Sequence, residues 1–71
     1  MTLYAADGSS FSWEIVKSAG GGFDASFRIE RRADGEAYSE GDTLHALSRE
    51  TALGWLRAEA ATRGFDGRGV T

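Results

Sequence analysis

From Ser10 to Lys17 the chain alternates: Phe11, Trp13 and Ile15 are apolar, while Ser10, Ser12 and Glu14 are polar. A period of two puts successive side chains on opposite faces of an extended chain. The segment therefore predicts a strand with one buried and one solvated face. The same alternation returns from Phe23 to Arg32. Phe23, Ala25, Phe27 and Ile29 fall on one face, and Asp24, Ser26, Arg28, Glu30 and Arg32 on the other. Gly20-Gly21-Gly22 between them predicts a hairpin connection, because glycine takes positive φ without a Cβ clash. A phosphate-cradling loop requires a helix to open directly after the glycines. Here a strand follows, so that reading is set aside.

Further signals flank these two strands. Met1 to Ala5, with Leu3 and Tyr4, predicts a short first strand, closed by a turn at Ala6-Asp7-Gly8. Ala33-Asp34-Gly35 carries the Asp-Gly signal of a hairpin turn. Ala37 and Tyr38 then suggest another strand, which Gly41-Asp42 interrupts as a bulge or a loop. Thr43 to Leu47 fits either a continuing strand or a helix start capped by Thr43. From Ser48 the pattern is helical. Ala52, Leu53, Leu56 and Ala60 lie on one stripe with Trp55 at its margin. Ser48 is a good N-cap, and Glu50 sits in the first turn, where the helix dipole favours a carboxylate. Glu59 and Arg63 are spaced for an i,i+4 pair. Gly64 suits the left-handed position after the helix, and Phe65 can fold back on the last turn.

These elements predict an α+β domain: a three- to four-stranded antiparallel meander with one C-terminal helix packed on one face. The expected core is Phe11, Trp13, Ile15, Phe23, Phe27, Ile29, Leu53, Leu56 and Ala60. Residues 1–65 form the domain, and the Gly-rich segment 66–71 reads as a flexible tail.

Composition narrows the chemistry. With 71 residues the chain holds one small core, and without Cys neither disulfides nor thiolate-bound zinc can assist it. A net charge of −3 speaks against a basic nucleic-acid-binding face. The N-terminal stretch has no basic region followed by a long apolar run, so no secretory leader and a cytoplasmic location are expected. No stretch approaches the length of a spanning helix.

Few residues invite a chemical role. His45 is the single histidine and has no Ser, Cys or second His in a motif around it, so a structural or exposed role is expected. Glu36, Glu40 and Asp42 lack the spacing of a calcium loop and read as a solvated charged segment. Neither catalytic residues, a metal site nor a cofactor is expected. Arg28, Arg31 and Arg32 form a small basic group; ion pairing with Glu14 or Glu36 across strands is the simpler reading, and a partner-binding surface the sharper one. Trp55 joins them as a candidate contact, either core or the cap of an apolar docking patch that Val16 and Tyr4 extend.

Two stretches resemble a known family. Gly21-Gly22-Phe23-Asp24-Ala25-Ser26-Phe27 resembles the strand after the first turn of HicB-like antitoxins, and Glu40-Gly41-Asp42-Thr43-Leu44-His45-Ala46-Leu47 resembles their "GDTL" segment leading into a helix. The order strand, Gly-rich turn, strand, "GDTL", amphipathic helix is also similar. The resemblance implies a small sheet with a helix on one face, and neutralisation of an RNA-cleaving toxin by direct binding. It covers about half the chain. This sequence has no proline where the family has a Pro-Gly link, and carries a charged hairpin there instead. The expectation is thus a non-catalytic interaction module of bacterial or phage type that binds a protein, either an antitoxin target or a second copy in a homodimer. The alternative is a small nucleic-acid-binding domain that uses the sheet around Arg28–Arg32. No membrane role is expected.

Overall fold

In the computed structural model, which describes residues 1–33 and 36–71, strands β1 (Thr2–Tyr4), β2 (Ser10–Lys17), β3 (Phe23–Ala33) and β4 (Glu36–Ala46) precede helix α1 (Arg49–Thr62) and a short 3-10 turn (Gly67–Gly69). The strands form one antiparallel sheet in the order β1-β2-β3-β4. Each pairs with its sequence neighbour, as a meander with one covering helix requires. The expected turn at Ala33-Asp34-Gly35 falls partly on residues outside those described.

Register assigns every side chain to a face. Phe11 pairs with Ile29, Trp13 with Phe27 and Ile15 with Ala25. These lie on the face that α1 covers with Ala52, Leu53, Leu56 and Ala60. Phe11, Ile29 and Leu56 are fully buried. Ile15 is half-buried against this core. Phe23 shares the face but is only half-buried and stands outside the core cluster. It lies at the end of the sheet, paired with Lys17 and Ala46. Ala25 and Ala52, which the alternation and the helix stripe place on these faces, join the core, and so does Ala46 at the end of β4, which no pattern marked.

Two open questions of the sequence are settled by β4. Thr43 to Ala46 continues the strand, and the helix starts only after Ser48, whose hydroxyl accepts the Thr51 N–H at 3.1 Å. Nor do Gly41 and Asp42 form a bulge or loop: pairing with β3 runs unbroken from Phe23↔Ala46 to Ala33↔Glu36. Gly41 has another reason to be glycine. A Cβ there would lie 2.5 Å from the Phe27 carbonyl oxygen, so only hydrogen fits between the strands.

The helix ends as its sequence suggests. Gly64 has φ +86°, its N–H donates to the Ala61 carbonyl at 3.1 Å, and the Phe65 N–H donates to the Ala60 carbonyl at 2.9 Å. This pair of bonds satisfies carbonyls that the last turn leaves free, and it aims Phe65 at the core. Phe65 meets the Phe11 ring at 5.7 Å between centroids.

The segment 66–71 differs from the expected loose tail. The Asp66 carboxylate accepts the Arg68 N–H at 3.0 Å and starts the 3-10 turn. Val70 is fully buried, and its carbonyl accepts from Arg57 Nε at 2.8 Å. A single buried valine in a glycine-rich run leaves no periodic signal. No helix among the described residues is long and apolar enough to cross a membrane.

Two outcomes are expected. Val70→Ala removes two buried carbons and costs roughly 1.5 kcal/mol at about 0.8 kcal/mol per carbon. Urea denaturation should show a lower midpoint, and a midpoint equal to that of the parent would return the tail to a frayed state. The second concerns acid. Asp7 is held below its usual carboxylate range mainly by the Ser9 N–H, and Asp66 mainly by the Arg68 N–H. A carboxyl with a lowered folded-state pKa stabilises the fold above its unfolded value of about 3.8 and ceases to do so as pH falls through the folded value. The double variant Asp7→Asn, Asp66→Asn should therefore lose less stability between neutral pH and pH ~3 than the parent, measured by denaturation at each pH.

Candidate interaction site

Strict alternation divides the three arginines of the basic group between two faces. Arg28 and Arg32 lie on the outer, solvated face of β3, and Arg31 lies on the helix-bearing face opposite Tyr38. The Arg31 guanidinium donates to the Arg63 carbonyl at 2.6 Å and stands 5.7 Å from the Phe65 ring centroid. A cation at a helix C-terminus meets the negative end of the backbone dipole. Arg31 therefore serves the helix end and does not join the other two in one surface.

Arg28 has Ser12 on one side and Gly41 on the other. Its ion partner is Glu30, at 3.8 Å with both side chains about two-thirds exposed. The cross-strand pairs with Glu14 or Glu36 do not form, because Glu14 faces Ser26 and Glu36 faces Ala33. An exposed pair of this kind contributes little. Around Arg28 the outer face is a field of small hydroxyls, Thr2, Ser12, Ser26, Ser39 and Thr43, with Glu14, Asp24 and Glu30 among them. A shallow open depression lined by Ser26, Arg28, Ser39 and Thr43 lies where Gly41 has no side chain.

His45 sits at the far end of this face. Its Nδ1 is 2.8 Å from the carboxylate of Asp24, its direct cross-strand partner. The ring also covers Gly22, where a Cβ would come within 3.0 Å of it. That is a structural role, closing the β2–β3 hairpin. Among the described residues no group of three acidic, His or Cys side chains could hold a metal ion.

Trp55 is half-buried, with its ring 5.4 Å from that of Phe27. Tyr4 and Val16 are exposed but lie on the outer face, away from α1, so the three do not form one patch.

The sequence signalled only half of the polar arrangement beside Trp55. Arg63 pairs with Glu59 one turn back, as its spacing implies, and its Nε also donates to Glu40 of β4 at 2.8 Å. Its guanidinium covers the Phe27 ring at 4.9 Å. The hydrogen bonds it donates to the Glu40 and Glu59 carboxylates raise its already high pKa. Arg63 thus ties the outermost strand to the helix.

β4 is the longer of the two edge strands of the sheet, β1 being the other, and has β3 on one side only. Every residue from Glu36 to Thr43 is exposed, Tyr38 included. The last pair of β3 with β2 is Ser10↔Glu30, whereas the pairs Arg31↔Tyr38, Arg32↔Ala37 and Ala33↔Glu36 join β3 and β4 alone. The two strands therefore run on as a ribbon for roughly 10 Å, at about 3.3 Å per residue. The molecule measures 43 × 21 × 17 Å as a result.

Replacing Arg63 with Met keeps an apolar stem over Phe27 but removes both ion pairs. Arg63→Met should lower stability by about 1 kcal/mol and make it less sensitive to salt than the parent. Denaturation at low and high ionic strength checks this, and an unchanged salt dependence would mean that the network contributes nothing.

Compared with known proteins, the chain matches no family model, no curated protein and no solved structure.

Proposed function

We propose that this chain is a small non-catalytic interaction module that binds a protein partner through the β3–β4 ribbon, in the class of antitoxin-like or phage-type inhibitors. The observation that carries the reading is the construction of β4. It is 11 residues long, pairs on one side only, and contributes just Ala46 to the core. A strand built for stability would bury more of one face. A long open edge that the chain itself leaves unpaired offers backbone groups and alternate side chains to another molecule. The similarity of the Glu40–Leu47 segment to HicB-like antitoxins supports the same class.

Nucleic-acid binding by the outer face is the competing reading. Arg28 and Arg32 do share that face. Glu14, Asp24 and Glu30 share it with them, however, and the net charge is −3. A phosphate backbone would meet carboxylates as often as guanidinium groups.

A photo-crosslinking residue placed at Tyr38 should yield a discrete protein adduct in cells, resistant to nuclease, while the same residue at the exposed helix position Gly54 should not. A nuclease-sensitive adduct would transfer the assignment to nucleic acid. No adduct at Tyr38 would overturn the ribbon as the binding element.

A further inference from the structure

The backbone of β4 has polar groups on two sides, and only one side meets β3. Alternation along antiparallel strands tells which groups face outward. Trp13 exchanges backbone hydrogen bonds with Met1, at 3.0 and 3.2 Å, so its polar groups point toward β1. Those of Ser12 and Glu14 then point toward β3. Their partners Arg28 and Ser26 point back at β2, which turns the groups of Phe27 toward β4. Phe27 faces Asp42, so Asp42 bonds inward, while Gly41 and Thr43 turn to the open edge. Thr43 agrees: its N–H is taken by the carboxylate of its neighbour Asp42 at 2.8 Å. By the same alternation Ala37, Ser39 and Gly41 present their N–H and C=O groups to the open edge.

The side chains of this edge carry a charge pattern. Glu36, Tyr38, Glu40 and Asp42 line its helix-bearing side, and Ala37, Ser39 and Gly41 its outer side. Arg63 matches Glu40, while neither Glu36 nor Asp42 has an ion-pair partner among the described residues. These carboxylates select between occupants. A second copy related by a two-fold axis at Tyr38 would set Glu36 against the other copy's Glu40, twice, an axis at Ser39 would set Glu36 against Asp42, and one at Gly41 would set Glu40 against Asp42. An axis at Glu40 or Asp42 would set a carboxylate against itself. Like charges directly opposite each other on paired strands are destabilising, and β4 has no Lys or Arg to offset them. A strand with basic side chains opposite the same positions is attracted by what repels a second copy.

We propose that the edge of β4 from Glu36 to Gly41 is completed by an extended segment of another protein with the pattern basic–any–apolar–any–basic. This deepens the interaction-module reading, on which it rests, by naming the chemistry of the partner. The basic residues stand opposite Glu36 and Glu40, and the apolar one opposite Tyr38, which is 54% exposed. Small outer-face residues at Ala37, Ser39 and Gly41 leave the intervening positions unrestricted. The footprint stops at Asp42, because the next outward N–H is already taken. Main-chain bonds supply affinity and the alternate side chains specificity.

The test uses the full chain and a capped peptide built on Lys-Thr-Val-Thr-Lys, with a Glu-for-Lys peptide as control. Hydrogen exchange followed by NMR should show the Ala37, Ser39 and Gly41 amides slowed by about tenfold with the Lys peptide and unchanged with the Glu peptide. Ser39→Pro removes an outward N–H from mid-footprint without touching the ladder to β3, and should abolish the effect. Glu36→Lys leaves the backbone intact and should weaken binding several-fold. Equal binding of the Lys peptide by the parent and Glu36→Lys, or protection absent from these three amides, overturns the proposal. If the Tyr38 adduct persists in that case, only the partner's chemistry is wrong; if it is absent too, the module reading falls with it.

Discussion

The Phe11 ring is fully buried and lies 5.3 Å from Phe27, 5.7 Å from Phe65 and 5.9 Å from Trp13. Through these contacts it joins β2, β3 and the chain beyond the helix. A domain of this size has one apolar layer, and a ring that touches three segments fixes their spacing more firmly than three aliphatic side chains could. Other features follow from its position. Ala52, Leu53, Leu56 and Ala60 need only fill the space beside the aromatic rings, and small residues at Ala25 and Ala46 let the helix settle close to the sheet.

Polar contacts then hold the margins. Arg63 covers Phe27 while reaching Glu40 and Glu59, and Arg31 reaches the helix C-terminus while lying near Phe65. Both arginines use their stems and planar groups to shield aromatic rings and spend their charge on local partners. Two of the chain's cations are thereby committed to holding the helix over the sheet. The charges left exposed are mixed on the outer face and acidic along the helix-bearing side of β4.

Much of this was legible in the sequence where a regular period or a local cap was at work. The alternation in β2 and β3 set their faces, and Ser48 and Gly64 marked the two ends of the helix. β4 was legible only in part: Ala37 and Tyr38 suggested a strand, but Glu36, Tyr38, Glu40 and Asp42 on its helix-bearing side form no apolar run, so its unbroken course through Gly41-Asp42 into Thr43–Ala46 could not be read. Most of that strand has nothing apolar above it to bury against, so its pairing with β3 and the Arg63–Glu40 contact hold it in place. The grouping of Arg31 with Arg28 and Arg32 followed their closeness in sequence. Their separation follows from parity, which was readable; the carbonyl that receives Arg31 comes from Arg63, 32 positions away, and no local rule foretells it. The same holds for Val70, whose burial depends on the helix C-cap turning the chain back.

A sheet in sequential order also has a kinetic meaning. Every strand pairs with its neighbour in the chain, so the sheet can zip from its turns with short loops to close, the kind of topology that folds rapidly. The exception lies where Gly69 meets Leu3, so closely that a Cβ at Gly69 would come within 2.6 Å of the leucine side chain. That contact spans nearly the whole chain and cannot form until the sheet and helix are in place. Opening of the domain should accordingly begin there: release of either flank frees the other, and Phe11 loses its cover from Phe65 before any strand has parted.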